Sequence, residues 1–148
     1  MNRAEPIRHT FDQQLVVLGM IVFFITALLT GIWKYRAMLT RSDHHAPVYV
    51  SIAHTAALHY SFACLVLLKL VELSAWSVLI NALAAGVTLT FFASAIVTYI
   101  RLGWRNQTSN QFAHRTWTTT WGMYLLIVGE LVGVGVLVGG VVMRYLLR

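Results

Sequence analysis

The chain reads as an all-α integral membrane protein, a four-transmembrane-helix antiparallel bundle. Three observations predict it. Of 148 residues, 58% are hydrophobic and only 11% charged, and the mean hydropathy of +0.70 lies outside the soluble range. Four segments of about 20 apolar residues recur, the length needed to cross ~30 Å of hydrocarbon. The connections between them are short, which suits antiparallel neighbours.

The first span covers residues 15–33. It is too long for the apolar region of a signal peptide, it ends in Trp33-Lys34-Tyr35-Arg36, and no small-residue cleavage pattern follows. The second covers residues 48–70 and starts just after Pro47. The third covers residues 77–100, after a tight turn near residues 71–76. The fourth covers residues 121–143 and is rich in glycine. Little chain is left for a soluble domain, so residues 1–148 read as one four-helix transmembrane domain whose function resides in the bundle and its connections. No internal repeat or low-complexity tract stands out.

The net charge of +6 and a pI near 10 do not indicate nucleic acid. The basic residues are scattered over the ends of the spans, where Lys and Arg anchor helices to lipid headgroups. They do not set the orientation either. Arg3, Arg8, Lys69, Arg144 and Arg148 fall on the side of the termini, against Lys34, Arg36, Arg41, Arg101, Arg105 and Arg115 on the other. The single cysteine, Cys64, lies within the second span, which excludes an intrachain disulfide and a thiolate metal cluster. It is expected in the core.

Alternating the spans brings the end of the first, the start of the second, the end of the third and the start of the fourth into one leaflet. That end collects His44, His45, His54, His59 and His114, with Trp33, Tyr35, Tyr49, Tyr60, Tyr99, Trp104, Trp117 and Trp121. An interfacial aromatic belt accounts for many of the rings. Imidazole inside a span asks for more, because hydrocarbon satisfies neither of its nitrogens. His54 lies roughly 9 Å into the second helix and His59 about one and a half turns deeper. Their spacing turns them about 140° apart, so one metal ion does not take both, and the spacing is wrong for a His-x-x-x-His zinc site. A haem held by one histidine needs no second local ligand. Ala53, Ala56, Ala57, Leu58 and Ser61 surround His54 with mostly small side chains. The competing role for each histidine is a hydrogen bond to a backbone carbonyl or a neighbouring helix.

Glu130, about nine residues into the fourth helix, stands at a depth close to that of His59, where a carboxyl group calls for a partner or for the neutral acid. A Glu130–His59 contact, a structural interhelix bond, proton handling and a haem-propionate network are the readings it supports. Gly129/Gly133 and Gly135/Gly139 make two small-xxx-small spacings, with Gly140 adding to the second, and they fit either packing within the chain or an oligomer interface.

Ala53-His54-Thr55-Ala56-Ala57-Leu58, Tyr99 at the end of the third span and Asn110-Gln111-Phe112 in the next connection resemble the styrene oxide isomerase family of small bacterial membrane proteins. The four-span plan agrees over most of the chain. The resemblance implies a haem b enzyme of the bacterial cytoplasmic membrane, assembled as a homotrimer. In such an enzyme ferric iron acts as a Lewis acid on a small hydrophobic epoxide and the product is an aldehyde. By matching positions His54 is the axial iron ligand and Tyr99 lies beside the epoxide. Asn110 supports its loop or serves as a plain turn residue, and with Glu130 it is a candidate cofactor contact. The chain departs from the family where an asparagine follows the ligand histidine: His59 or Tyr60 stands there, and both become catalytic candidates. The family's proline in that stretch is absent, and the third connection is shorter.

Two readings from other classes compete. A b-type cytochrome needs two axial histidines from different helices, such as His54 or His59 with His114. A non-catalytic subunit would use the glycine-rich fourth helix to dock in a larger complex.

Overall fold

The computed structural model describes residues 10–113 and 116–146. Its helices are α1 (Phe11–Thr40), α2 (Val48–Leu73), α3 (Val78–Arg105) and α4 (Met123–Leu146), the last preceded by a π-helical turn, Thr118–Gly122. All four are long and apolar enough to cross a membrane, so the chain is a multi-pass membrane protein with an all-α four-helix architecture.

The helices outrun the apolar spans. Hydropathy marks only what the hydrocarbon layer demands, whereas a helix continues through the headgroup layer until something stops it. At 30 residues, α1 spans about 45 Å, the thickness of a bilayer with its headgroups. Its start is tied by the Thr10 backbone N–H donating to Gln13 Oε1 at 3.1 Å. Pro47 precedes α2, where its missing N–H costs nothing. The Ser77 hydroxyl accepts from the Ile80 N–H at 3.4 Å to cap α3. Asn106 ends that helix in the left-handed region, φ 47°, a conformation asparagine tolerates.

α2 and α3 pack on each other; α1 packs on both from one side and α4 on both from the other, and α1 and α4 do not touch. Half of the membrane stretch of α3 is buried, against 17% for α4, so α3 is the central post and α4 the most lipid-exposed helix. Val16, Phe23, Cys64, Leu89, Phe92 and Leu137 meet in the core. Cys64 is fully buried there, as expected of a small apolar side chain.

Both ends confirm the antiparallel threading. At one end Trp33 of α1 packs on Trp104 of α3, ring centroids 6.3 Å apart, and α3 crosses α2 so closely at Gly103 that a Cβ would lie 3.0 Å from the Val50 backbone nitrogen. At the other end the Trp76 indole donates to the Val136 carbonyl at 2.8 Å, and Arg144 donates to the Glu72 carbonyl at 3.2 Å.

The two glycine stripes of α4 have different tasks. A Cβ at Gly129 would lie 1.9 Å from Phe91 Cε2, one at Gly133 2.2 Å from Thr88 Oγ1, and one at Gly140 2.1 Å from Ser74 Oγ. These three glycines let α4 close on the rest of the chain, so Gly140 packs inward and does not extend the Gly135/Gly139 stripe. Gly135 and Gly139 face open space, with nothing within 4 Å.

Candidate functional site

His54 sits in the second turn of α2, half-buried, on the side that packs against α1. Its neighbours Ala53 and Ala57 are fully buried, so the helix presses into the core beside the ring. The His54 Nδ1–H donates to the Ala27 carbonyl of α1 at 2.9 Å. A carbonyl only accepts, so the proton is on Nδ1 and the Nε2 lone pair stays free. Nε2 itself makes no hydrogen bond among the described residues. The ring lies over Gly31, where a Cβ would come 3.0 Å from Cε1 and 3.2 Å from Nδ1. Glycine is what allows the imidazole to lie against the α1 backbone.

Below this seam the same two helices enclose an apolar cavity of about 220 Å³ lined by Met20, Ile21, Phe24, Phe62 and Leu65, among others. His54, Leu58 and Leu65 follow one another along the α2 face that borders it. A histidine of fixed tautomer with small flanking residues is what a haem held by one histidine would need from the chain. His54 does not line the cavity itself, so the fit rests on the imidazole and the small residues beside it.

His59 points elsewhere, as the offset of about 140° demands. It is exposed, and its Nδ1–H donates to the Thr55 carbonyl one turn back, at 2.9 Å. With Ser51, Thr55, Ala56, Tyr60 and Tyr99 it lines a cavity of about 450 Å³ between α2 and α3. Both histidines thus bond to a backbone carbonyl, but only His54 does so across helices.

Tyr60 stacks on Phe92 of α3, centroids 4.0 Å apart and planes 11° from parallel. Tyr99 stacks on Tyr49 at 6.2 Å. The Tyr49 hydroxyl accepts from the Gln111 backbone N–H at 2.6 Å, so the third connection is latched to α2 and the latch braces Tyr99. Neither the Tyr60 nor the Tyr99 hydroxyl makes a hydrogen bond among the described residues.

Glu130 buries its Oε1 without a hydrogen-bond partner among the described residues and lies within electrostatic range of both Tyr60 and Tyr99. No hydrogen bond or ion pair joins it to His59 among the described residues. Equal depth sets height, not direction around the axis, and His59 faces outward. Asn110 forms a turn: its Oδ1 accepts from the Phe112 N–H at 2.9 Å, and its own N–H donates to Thr108 Oγ1 at 3.0 Å. Its neighbour Gln111, not Asn110, reaches the Tyr99 surroundings.

The other described histidines of this end do not join the site. His44 Nδ1 donates to the Met38 carbonyl at 3.3 Å, and the His45 ring donates to the Asp43 carbonyl. His114 lies outside the described residues. Among the described residues no three His, Cys, Asp or Glu side chains converge as metal ligands.

The structure therefore separates the sequence candidates into two groups. His54 serves the α1/α2 seam; His59, Tyr60 and Tyr99 serve the α2/α3 cavity, with Glu130 near its two phenols. Sequence reasoning missed the Ala27 carbonyl, Gly31 and Phe92, and it placed Tyr49 at this end without its role of bracing Tyr99. A glycine within an otherwise bulky helix was a signal for Gly31, whereas a backbone carbonyl leaves no trace in a sequence. Neither protein-family models, curated proteins nor solved structures match the chain.

Proposed function

We propose that the protein is a haem b-dependent epoxide isomerase that converts a small hydrophobic epoxide into an aldehyde. The observation that carries this reading is the His54 Nδ1–H bond to the Ala27 carbonyl, which leaves Nε2 free to hold iron. The bond fixes the tautomer and the ring plane and makes the free nitrogen a better donor. Gly31 keeps the ring's flank clear. When bound, ferric haem supplies a Lewis acid for an epoxide oxygen, and the rearrangement consumes no electron.

The remaining work falls to the chain's own groups. The Tyr99 hydroxyl, spare as a donor and braced by Tyr49, orients the epoxide oxygen. Tyr60 on Phe92 supplies an apolar aromatic wall, and excluding water favours hydride shift over hydrolysis to a diol. His54 and Tyr99 border different sides of α2, so the reading requires two copies of the chain. One contributes His54, the next Tyr99 with His59 or Tyr60 beside it. A homotrimer of the bacterial cytoplasmic membrane, as the family resemblance implies, meets that need. The exposed Gly135/Gly139 stripe offers a close-packing surface for such an assembly.

A cytochrome is disfavoured by one fact: α1, α3 and α4 carry no histidine, so two axial imidazoles from different helices of one chain are not on offer within the spans. The test is the absorption spectrum of detergent-solubilised protein after haem-supplemented expression, with styrene oxide then added without reductant. The expected result is a mainly high-spin ferric spectrum that shifts with the epoxide, together with formation of phenylacetaldehyde. No Soret band, or a low-spin bis-histidine spectrum without turnover, sinks the proposal.

A further inference from the structure

We infer that the cavity between α3 and α4 is a second ligand site, one that takes a small neutral one-ring molecule from the bilayer and shares Tyr99 as a wall with the α2/α3 cavity. It encloses about 290 Å³. A cavity of ~150 Å³ already holds benzene, so one ring with a short substituent fits.

The lining sets the chemistry of the occupant. Phe91, Tyr99 and Trp117 provide aromatic surface, and no charged side chain borders the space, so the ligand is neutral. Phe91 is locked as a wall because its ring fills the notch at Gly129. The Ser94 hydroxyl donates to the Phe91 carbonyl and the Thr98 hydroxyl to the Ser94 carbonyl, each at 2.8 Å. Their protons are spent. The Tyr99 hydroxyl is not, and the Gln111 carboxamide and the Trp117 indole also border the space, which favours a ligand carrying a hydrogen-bond acceptor.

The position sets the source. α4 is the most lipid-exposed helix, and the rim residues Trp117 and Leu125 are 64% and 54% exposed. A lipid-dissolved molecule reaches the rim without crossing water. The π-helical turn that opens α4 ends at Gly122, on the same rim; π-turns recur at functional sites because they widen a helix locally. Tyr99 lines both this space and the one lined by His59 and Tyr60, so the two spaces meet at its ring. The inference goes beyond the proposed chemistry and does not depend on haem or turnover.

The experiment is photolabelling of the full chain in liposomes with trifluoromethyl-phenyl-diazirine, mapping adducts by mass spectrometry. Saturable adducts are expected within residues 91–99 and 117–126. Ser94→Phe, which fills the cavity from an exposed position, should reduce them about tenfold, the scale of one lost ring contact. Leu131→Phe, on the lipid-facing side of α4, should leave them unchanged. Tyr99→Phe should keep the site but lower the preference for phenylacetaldehyde over ethylbenzene as competitor. Unsaturable labelling of wild-type protein, the pattern of a cleft filled by lipid chains, overturns the inference whether or not the variants fold. So does full labelling of folded Ser94→Phe.

Discussion

The His54 imidazole on α2 donates through Nδ1 to the Ala27 carbonyl on α1 at 2.9 Å, with its flank against Gly31. The contact joins the two helices at the depth where the chain carries its candidate ligand. A Cβ at Gly31 would press on a ring that its hydrogen bond keeps from turning away. Gly31→Ala is therefore expected to cost about 1 kcal/mol and Gly31→Val more, within the ~1–3 kcal/mol of overpacked sites. Thermal unfolding in detergent measures the loss, and the Soret band should weaken in the same order.

The two glycine stripes of α4 make a paired test. Gly133→Ala places a methyl 2.2 Å from Thr88 Oγ1 and 2.7 Å from the Ala84 carbonyl, and backbone does not yield cheaply. A loss of ~1–3 kcal/mol is expected. Gly135→Ala and Gly139→Ala meet nothing within 4 Å and should leave the fold stable within ~0.5 kcal/mol. Their effect should appear in the oligomeric state, read by light scattering or native mass spectrometry.

If His54 of one chain and Tyr99 of the next complete one site, two inactive variants should rescue each other. Co-expressed His54→Ala and Tyr99→Phe chains assort at random, and roughly a quarter of the sites receive both intact residues. Isomerase activity near that fraction of wild type is expected from the mixture. A mixture as inactive as its parents would place both residues in a site within one chain.

The first connection has its own pH behaviour. Arg41 grips Asp43 through two hydrogen bonds, 3.1 and 3.0 Å, and the His45 N–H adds a third at 3.1 Å. The guanidinium first, then this N–H, hold the Asp43 carboxyl well below the ordinary carboxylate range. A depressed folded value gives a contribution that is present above the unfolded value of ~3.9 and lost only as pH falls through the folded one. Acidification from pH 7 to about 4 should leave the turn intact. A carbon-detected NMR titration checks this: the Asp43 carboxyl should have its midpoint below the ordinary value, and Arg41→Ala should move it upward. The pair is exposed, so high salt should weaken the effect.

Much of this architecture was readable in the sequence because a bilayer enforces simple rules. Apolar length located all four spans, and helical spacing alone separated His54 from His59. The helix ends were not readable from hydropathy, since Pro47, Ser77 and Asn106 act by backbone geometry in the headgroup layer. Nor could spacing distinguish Gly129/Gly133 from Gly135/Gly139, because only the seating of Phe91 and Thr88 decides which stripe is buried. Depth arithmetic paired Glu130 with His59, whereas rotation about the helix axis turns His59 outward and leaves Glu130 near Tyr60 and Tyr99.

The most direct measurement is the Soret absorbance of purified His54→Ala and His59→Ala proteins after haem-supplemented expression, each compared with wild type at equal protein concentration. Loss of the band in His54→Ala with retention in His59→Ala is the expected result. Retention in His54→Ala, or loss in His59→Ala alone, contradicts the assignment of His54 as the iron ligand.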